Sequence, residues 1–298
     1  MKTKYKVMIL AMTLLFFALV GTVLAEPLYY ESLRRVKYNP VCSKSNQPYF
    51  VLVSWNMGEY STNKTRKALE TMADILRDAD IVVLQNIQSS QGTKMDIKKI
   101  AQMLDMKDKN WDFITSEKVD GKGDLAFLWD TKKISIHNVH MIRTSRSCGH
   151  YMEHAPVIGS FIFNKEKFQI VSFIAASSEE KAQKEISDYI GCDRFNRDSL
   201  IALGDFNLPP GKVNPLFREY GFVNQTESRR SMVKNKINRS CSHRTSSHIF
   251  TKNSSVDVCA SGVVDLANII NDHEDVKNVS EHMPVFIIFQ PKKATSKL

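Results

Sequence analysis

Leu200-Ile201-Ala202-Leu203-Gly204-Asp205-Phe206-Asn207 is the stretch on which the fold turns. Its apolar run does not alternate with polar residues, which suits a strand covered on both faces. The run stops at Gly204, and an Asp-x-Asn triplet follows. Two residues apart on an extended chain, a carboxylate and an amide oxygen point to the same side. That pair suits a hard cation such as Mg²⁺, which takes oxygen ligands. Asp and Asn at a strand end also cap turns, so the wider pattern matters more than this one triplet.

The pattern recurs. Tyr49–Trp55 reads as a buried strand closed by Asn56, and Ile81–Gln85 as another closed by Asn86. Asp257 follows Ser255-Val256, and Glu281-His282 precede a last strand over Pro284–Phe289. Polar residues collected at strand ends are where an α/β protein presents its chemistry. Further strands are expected at Leu125–Trp129, Val157–Phe163, Phe168–Ala175 and Val256–Ala260. Between Thr65 and Asp78, Leu69, Met72, Ala73 and Leu76 repeat at helical spacing, as do Ile97, Ile100, Ala101 and Leu104. A polar helix is expected over Ser178–Ile190.

Eight or more strands with three or four helices are too few helices for a (β/α)₈ barrel or a doubly wound sheet. Mixed sheets with helices packed outside fit better. One domain is expected over residues 49–290, after a polar lead-in at 26–48 and before a basic tail at 291–298. Residues 209–255 read as a polar excursion carrying Arg229, Arg230, Lys234 and Lys236, either a solvated loop or a nucleic-acid surface.

The chain of 298 residues is 43% hydrophobic and 24% charged, a globular balance that excludes a disordered chain. Lys2, Lys4 and Lys6 precede an apolar run from Val7 to Val23 that ends at Ala25, the pattern of a cleaved signal peptide over residues 1–25. The expectation is a secreted or periplasmic protein with no membrane span after cleavage. Removing that segment, with its three Lys and no acid, takes the formal charge from +9 to +6. Cys42, Cys148, Cys192, Cys241 and Cys259 show no zinc-ligand spacing, so one or two disulfides are expected in an oxidising compartment.

Together, Gly204-Asp205-Phe206-Asn207, Ser54-Trp55-Asn56 and Ser280-Glu281-His282-x-Pro284-Val285 resemble the endonuclease/exonuclease/phosphatase superfamily, the deoxyribonuclease I-like proteins. The resemblance runs from about Tyr49 to Phe289. It implies a four-layer α/β/β/α sandwich of two mixed sheets, with the site at one rim. It also implies hydrolysis of a phosphoester by water, assisted by Mg²⁺ (or Mn²⁺ or Ca²⁺) that neutralises charge on the phosphate. By the resemblance Asn56, Asn86 and Glu281 fall at metal-proximal positions, and Asp205 and Asn207 orient the phosphate. His282 and Asp257 match a His–acid pair, and His154 lies where some members keep a phosphate-contacting Arg.

The resemblance also has gaps. The main metal-ligating Glu is here Asn86, a neutral amide that weakens any Mg²⁺ site. Ile174 takes the place of a second His, and Gly123 that of its partner acid. Two functions stay open from sequence. One is an exported metal-dependent phosphodiesterase acting on DNA with an eroded site. The other is an inactive member that binds nucleic acid, a phosphorylated ligand or a protein partner; a monomer is expected under both.

Overall fold

The computed structural model describes residues 49–58, 64–87, 91–105, 109–116, 124–141, 155–163, 166–191, 200–226, 246–252, 256–264, 266–270, 278–280 and 282–292. The segments 1–25 and 26–48, and the site expectations at Glu281, His154, Gly123, Arg229, Arg230, Lys234 and Lys236, lie outside them.

Among the described residues twelve strands form two six-stranded sheets. The first holds β1 (Phe50–Asn56), β2 (Ile81–Ile87), β3 (Trp111–Thr115), β4 (Asp124–Asp130), β11 (Val256–Val263) and β12 (Val285–Pro291) in the order β11-β12-β1-β2-β4-β3. The second holds β5 (Ser135–Met141), β6 (Val157–Phe163), β7 (Glu166–Ile174), β8 (Leu200–Asp205), β9 (Phe222–Asn224) and β10 (Ser247–Lys252) in the order β5-β6-β7-β8-β10-β9. Each sheet has one parallel contact, β1 with β2 and β7 with β8, and the remaining pairs are antiparallel. A helix makes each parallel crossover: α1 (Arg66–Leu76) in the first sheet and α3 (Glu179–Ile190) in the second. Helices α2 (Gln91–Asp105) and α4 (Pro210–Arg218) and the single turn α5 (Leu266–Ile269) complete the described elements.

Side-chain parity builds the layers. On β1, Phe50 and Leu52 enter the cluster between the sheets, while Val51, Val53 and Trp55 pack under the helical layer with Leu69, Met72 and Ile97. On β8, Ile201 and Leu203 face the first sheet, while Leu200 and Ala202 pack with Ile186, Phe217 and Phe250 on the other side. Successive residues of a strand point to opposite faces, so both faces of each sheet are covered. This is the four-layer α/β/β/α sandwich of two mixed sheets. Helix α1 starts where Thr65 Oγ1 accepts from Ala68 N at 3.2 Å, an N-cap.

The excursion expected at 209–255 contains three regular elements among its described residues: α4, β9 and β10. All six residues of β10 are buried, including Ser247, His248, Thr251 and Lys252. Its polar composition hides a strand that β8 and β9 cover from both sides.

Candidate functional site

The parallel pairs fix where the site forms. In open α/β sheets, ligand crevices lie beyond the carboxyl ends of parallel strands. β1 ends at Asn56, β2 runs out through Asn86, and β8 ends at Asp205. Asn56 shares the inward parity of Phe50 and Leu52, and Asp205 that of Ile201 and Leu203. The two therefore meet across the sandwich: Asn56 Nδ2 donates to Asp205 Oδ2 at 2.6 Å. Both are buried, at 2% and 3% exposure.

Asn86 reaches the same point by a different route. Gln85 shares the inward parity of Ile81 and Val83, donating to Ser54 Oγ and Ser172 Oγ, so the next residue should point outward. The β2–β4 register shifts between Leu84 and Ile87, and Asn86 takes φ +59°. A bulge with one left-handed residue re-aims a side chain, and Asn tolerates that region better than most residues. Asn86 Nδ2 thereby donates to Asn56 Oδ1 at 2.9 Å. Asn56 Oδ1 also accepts from Gly58 N at 2.8 Å.

Asp205 and Asn207 are held by their own turn. Asn207 N donates to Asp205 Oδ1 at 3.0 Å, and Asn207, at φ +49°, donates through Nδ2 to Ala175 O at 2.7 Å. Beneath that turn lies His248, fully buried on β10, to which the sequence assigned no role. Its Nε2 is 3.1 Å from Leu208 O and its Nδ1 3.2 Å from Asn224 Nδ2. A carbonyl can only accept and Asn224 Nδ2 can only donate, so the proton sits on Nε2. Asn224 and Thr226, which form a glycosylation sequon, are bound to one another, Thr226 N and Oγ1 both donating to Asn224 Oδ1.

His282 arrives from the last connection. Ser280 Oγ donates to Asn56 O at 2.9 Å, His282 N donates to Ser280 Oγ at 3.0 Å, and Trp55 Nε1 donates to His282 O at 2.8 Å. These bonds lock the residues around His282 onto the end of β1. The imidazole Nδ1 comes to 3.9 Å from Asp205 Oδ2.

That placement corrects the expected His282–Asp257 pair. Asp257 lies beside Gln290 in the β11–β12 register, whereas Val263 lies beside Val285 near His282. Five residues of β12 separate the two ends, about 17 Å at ~3.4 Å per residue. The Asp257 carboxylate is paired instead with Lys292 Nζ at 3.0 Å. The acid that His282 faces is Asp205. Ile174 stands beside Asp205 in the parallel β7–β8 register and is buried in the cluster between the sheets, at 6% exposure. The structure thus brings Asn56, Asn86, Asp205, Asn207 and His282 together and leaves Asp257 outside.

Solved structures share this architecture. D. rerio TDP2 complexed with single strand DNA product superposes with a TM-score of 0.61 at 14% identity, over 82% of this chain and 100% of that one. The chain has the endonuclease/exonuclease/phosphatase fold. An endonuclease/exonuclease/phosphatase family protein from Bacteroides thetaiotaomicron matches this fold at 0.58 and 18% identity, over 81% and 97% of the two chains. The human Nocturnin catalytic domain with bound sulfate anion matches at 0.55 and 13%, over 82% and 94%. At these identities the likeness carries the fold alone. No family model and no curated protein matches the chain.

The described residues at the rim do not fit the Mg²⁺ that the resemblance implied. Asn56 Oδ1 has two lone pairs and already accepts two N–H groups. Asn86 turns a donor, not an oxygen, toward it. Among the described residues Asp205 is then the one carboxylate gathered there, and no group of three or more His, Cys, Asp and Glu side chains could hold a metal. Of the positions expected to hold Mg²⁺, Asn56 has its oxygen already bonded twice, Asn86 faces it through Nδ2, and Glu281 lies outside the described residues.

Proposed function

We propose that this chain is an exported protein that engages the phosphodiester backbone of DNA at the Asn56–Asp205–Asn207–His282 rim, without metal-dependent hydrolysis. The observation that carries this reading is the contrast within one rim. Asp205, Asn207 and His282 converge there, while the strand position beside Asp205 is filled by the apolar Ile174. The imidazole can donate to a phosphate oxygen or, with the carboxylate beside it, move a proton, but a second acid–base group is missing from the neighbouring strand. DNA as ligand is supported by the single strand DNA product in the TDP2 structure and by the +6 charge of residues 26–298. Export is supported by the basic and apolar N-terminus and by the disulfide at Cys259.

A second reading, slow hydrolysis through His282 and Asp205, is favoured by their 3.9 Å approach. DNA binding by fluorescence anisotropy, run beside plasmid nicking, separates the two. Binding without nicking, weakened about tenfold (~1.4 kcal/mol) in His282→Ala, is the expected result. Nicking that Asp205→Ala abolishes would move the assignment to the hydrolase, and absence of binding would reject the DNA reading.

A further inference from the structure

The orientation of three side chains at the rim is fixed by hydrogen-bond polarity alone. A carboxylate can only accept, so Asn56 must present Nδ2 to Asp205 Oδ2, as it does at 2.6 Å. Its Oδ1 then faces the opposite way, where Gly58 N fills one lone pair at 2.8 Å. The other lone pair can be met by a cation or by an N–H. In this chain it is met by Asn86 Nδ2 at 2.9 Å. A carboxylate at position 86 could not make that contact, because two oxygens would oppose each other with nothing positive between them. The bulge and the positive φ of Asn86 bring the amide to that point, so the contact is built into the strand rather than made by a chance rotamer.

We infer that the Asn86 amide N–H occupies the place a divalent cation would take between residues 56 and 86, so that the rim is held together without a cation. The donor-to-acceptor order Asn86, Asn56, Asp205 is complete without a metal, and a cation can reach Asn56 Oδ1 only by displacing one of its two N–H donors. Phosphodiester engagement at this rim accordingly proceeds in chelator. This inference rests on the rim being the phosphodiester site, and it predicts that a single isosteric change installs a metal requirement. Asn86→Asp keeps the shape and tolerates the left-handed backbone, but it turns an oxygen toward Asn56 Oδ1.

The test measures the melting temperature of the full chain in EDTA and in millimolar Mn²⁺, for wild type, Asn86→Asp and Asp205→Asn. The readout is the Mn²⁺-induced shift beyond that of Asp205→Asn, since a ligand that binds only the folded state raises its stability. Wild type is expected to show no such excess. Asn86→Asp is expected to melt several degrees lower in EDTA and to recover in Mn²⁺. Mn²⁺ titrated against wild type and Asn86→Asp by calorimetry gives the same comparison without relying on the melt. A wild-type excess as large as that of Asn86→Asp would overturn the inference, and so would an Asn86→Asp protein indifferent to Mn²⁺. DNA anisotropy in the two buffers keeps the two proposals apart. Binding that requires Mn²⁺ overturns the cation-free rim. No binding in either buffer rejects the DNA reading and leaves the Mn²⁺ comparison to judge the amide.

Discussion

Asp205 Oδ2 and His282 Nδ1 stand 3.9 Å apart, within reach of charge and beyond reach of a hydrogen bond. The Nδ1 atom is buried and has no hydrogen-bond partner, while the same carboxylate oxygen accepts from Asn56. The carboxylate therefore serves the scaffold before it serves the imidazole. Its closest partner is an amide from the opposite sheet.

That double duty makes Asp205 a stability residue as well as a site residue. Asp205→Ala removes the acceptors of Asn56 Nδ2 and Asn207 N, leaving two donors at a buried rim. An unsatisfied buried group costs about 1–3 kcal/mol, so a loss of about 3 kcal/mol is expected in urea unfolding. Asp205→Asn keeps one acceptor oxygen and should lose less. Equal losses for the two would mean that the hydrogen bonds contribute little.

Gly204 should be the least replaceable residue of its strand. It holds φ +132°, and a Cβ added there would overlap the carbonyl oxygen of Phe173 on the neighbouring parallel strand. Backbone cannot swing aside as a flexible side chain can, so Gly204→Ala is expected to cost about 3 kcal/mol or more. Gly211→Ala is the control, because a Cβ there meets nothing within 4 Å and φ is not left-handed. Urea midpoints of the two variants decide it, and similar midpoints would refute the steric argument.

The rim was largely legible in the sequence because strand ends are signalled by where an apolar run stops. Asn56, Asn86, Asp205 and His282 could each be placed that way. Pairing was not legible in the same way. Asp257 and Asp205 are both strand-associated acids, and only the antiparallel register of β11 against β12 puts Asp257 beside Gln290 rather than beside Val285. β10 escaped for another reason. Ser-His-Ile-Phe-Thr-Lys carries little apolar alternation, and its polar groups are buried because the adjoining strands and turns bond them: Thr251 Oγ1 accepts from Gln225 Nε2, and His248 meets Leu208 and Asn224. Helix α4 was masked by Pro209, Pro210 and Pro215. Pro210 sits in the first turn, where its missing N–H is tolerated.

Far from the rim, Lys109 gives a pH dependence of defined sign. Its Nζ lies 3.6 Å from Asp80 Oδ1 and 5.4 Å from the Trp111 ring centroid, and it donates to Ala79 O. Burial pushes the ammonium below its usual value of 10.5, outweighing the attraction of Asp80. The folded chain then releases this proton at lower pH than the unfolded chain does. Between the lowered value and 10.5 the unfolded state binds more protons, so this group makes unfolding harder as pH rises through that window. The difference in unfolding free energy between wild type and Lys109→Met should therefore grow in favour of wild type as pH approaches 10.5. A difference that shrinks would reverse the sign.

The basic cluster gives the DNA reading a test that does not touch the rim. Arg229, Arg230, Lys234 and Lys236 lie within a few residues of one another in a stretch short of acids. Cations that contact phosphates release condensed counterions, and the logarithm of affinity falls with that of salt by about 0.7–0.9 per phosphate neutralised. If all four side chains touch DNA, replacing them with Gln should lower the slope by about 3 and weaken binding across sequences alike. His282→Ala, by contrast, should weaken binding while leaving most of the slope in place, because its contribution is local. Anisotropy titrations at several salt concentrations on the two variants separate these outcomes. An unchanged slope in the quadruple variant would make the cluster a solvated surface and leave the phosphate contacts to the rim.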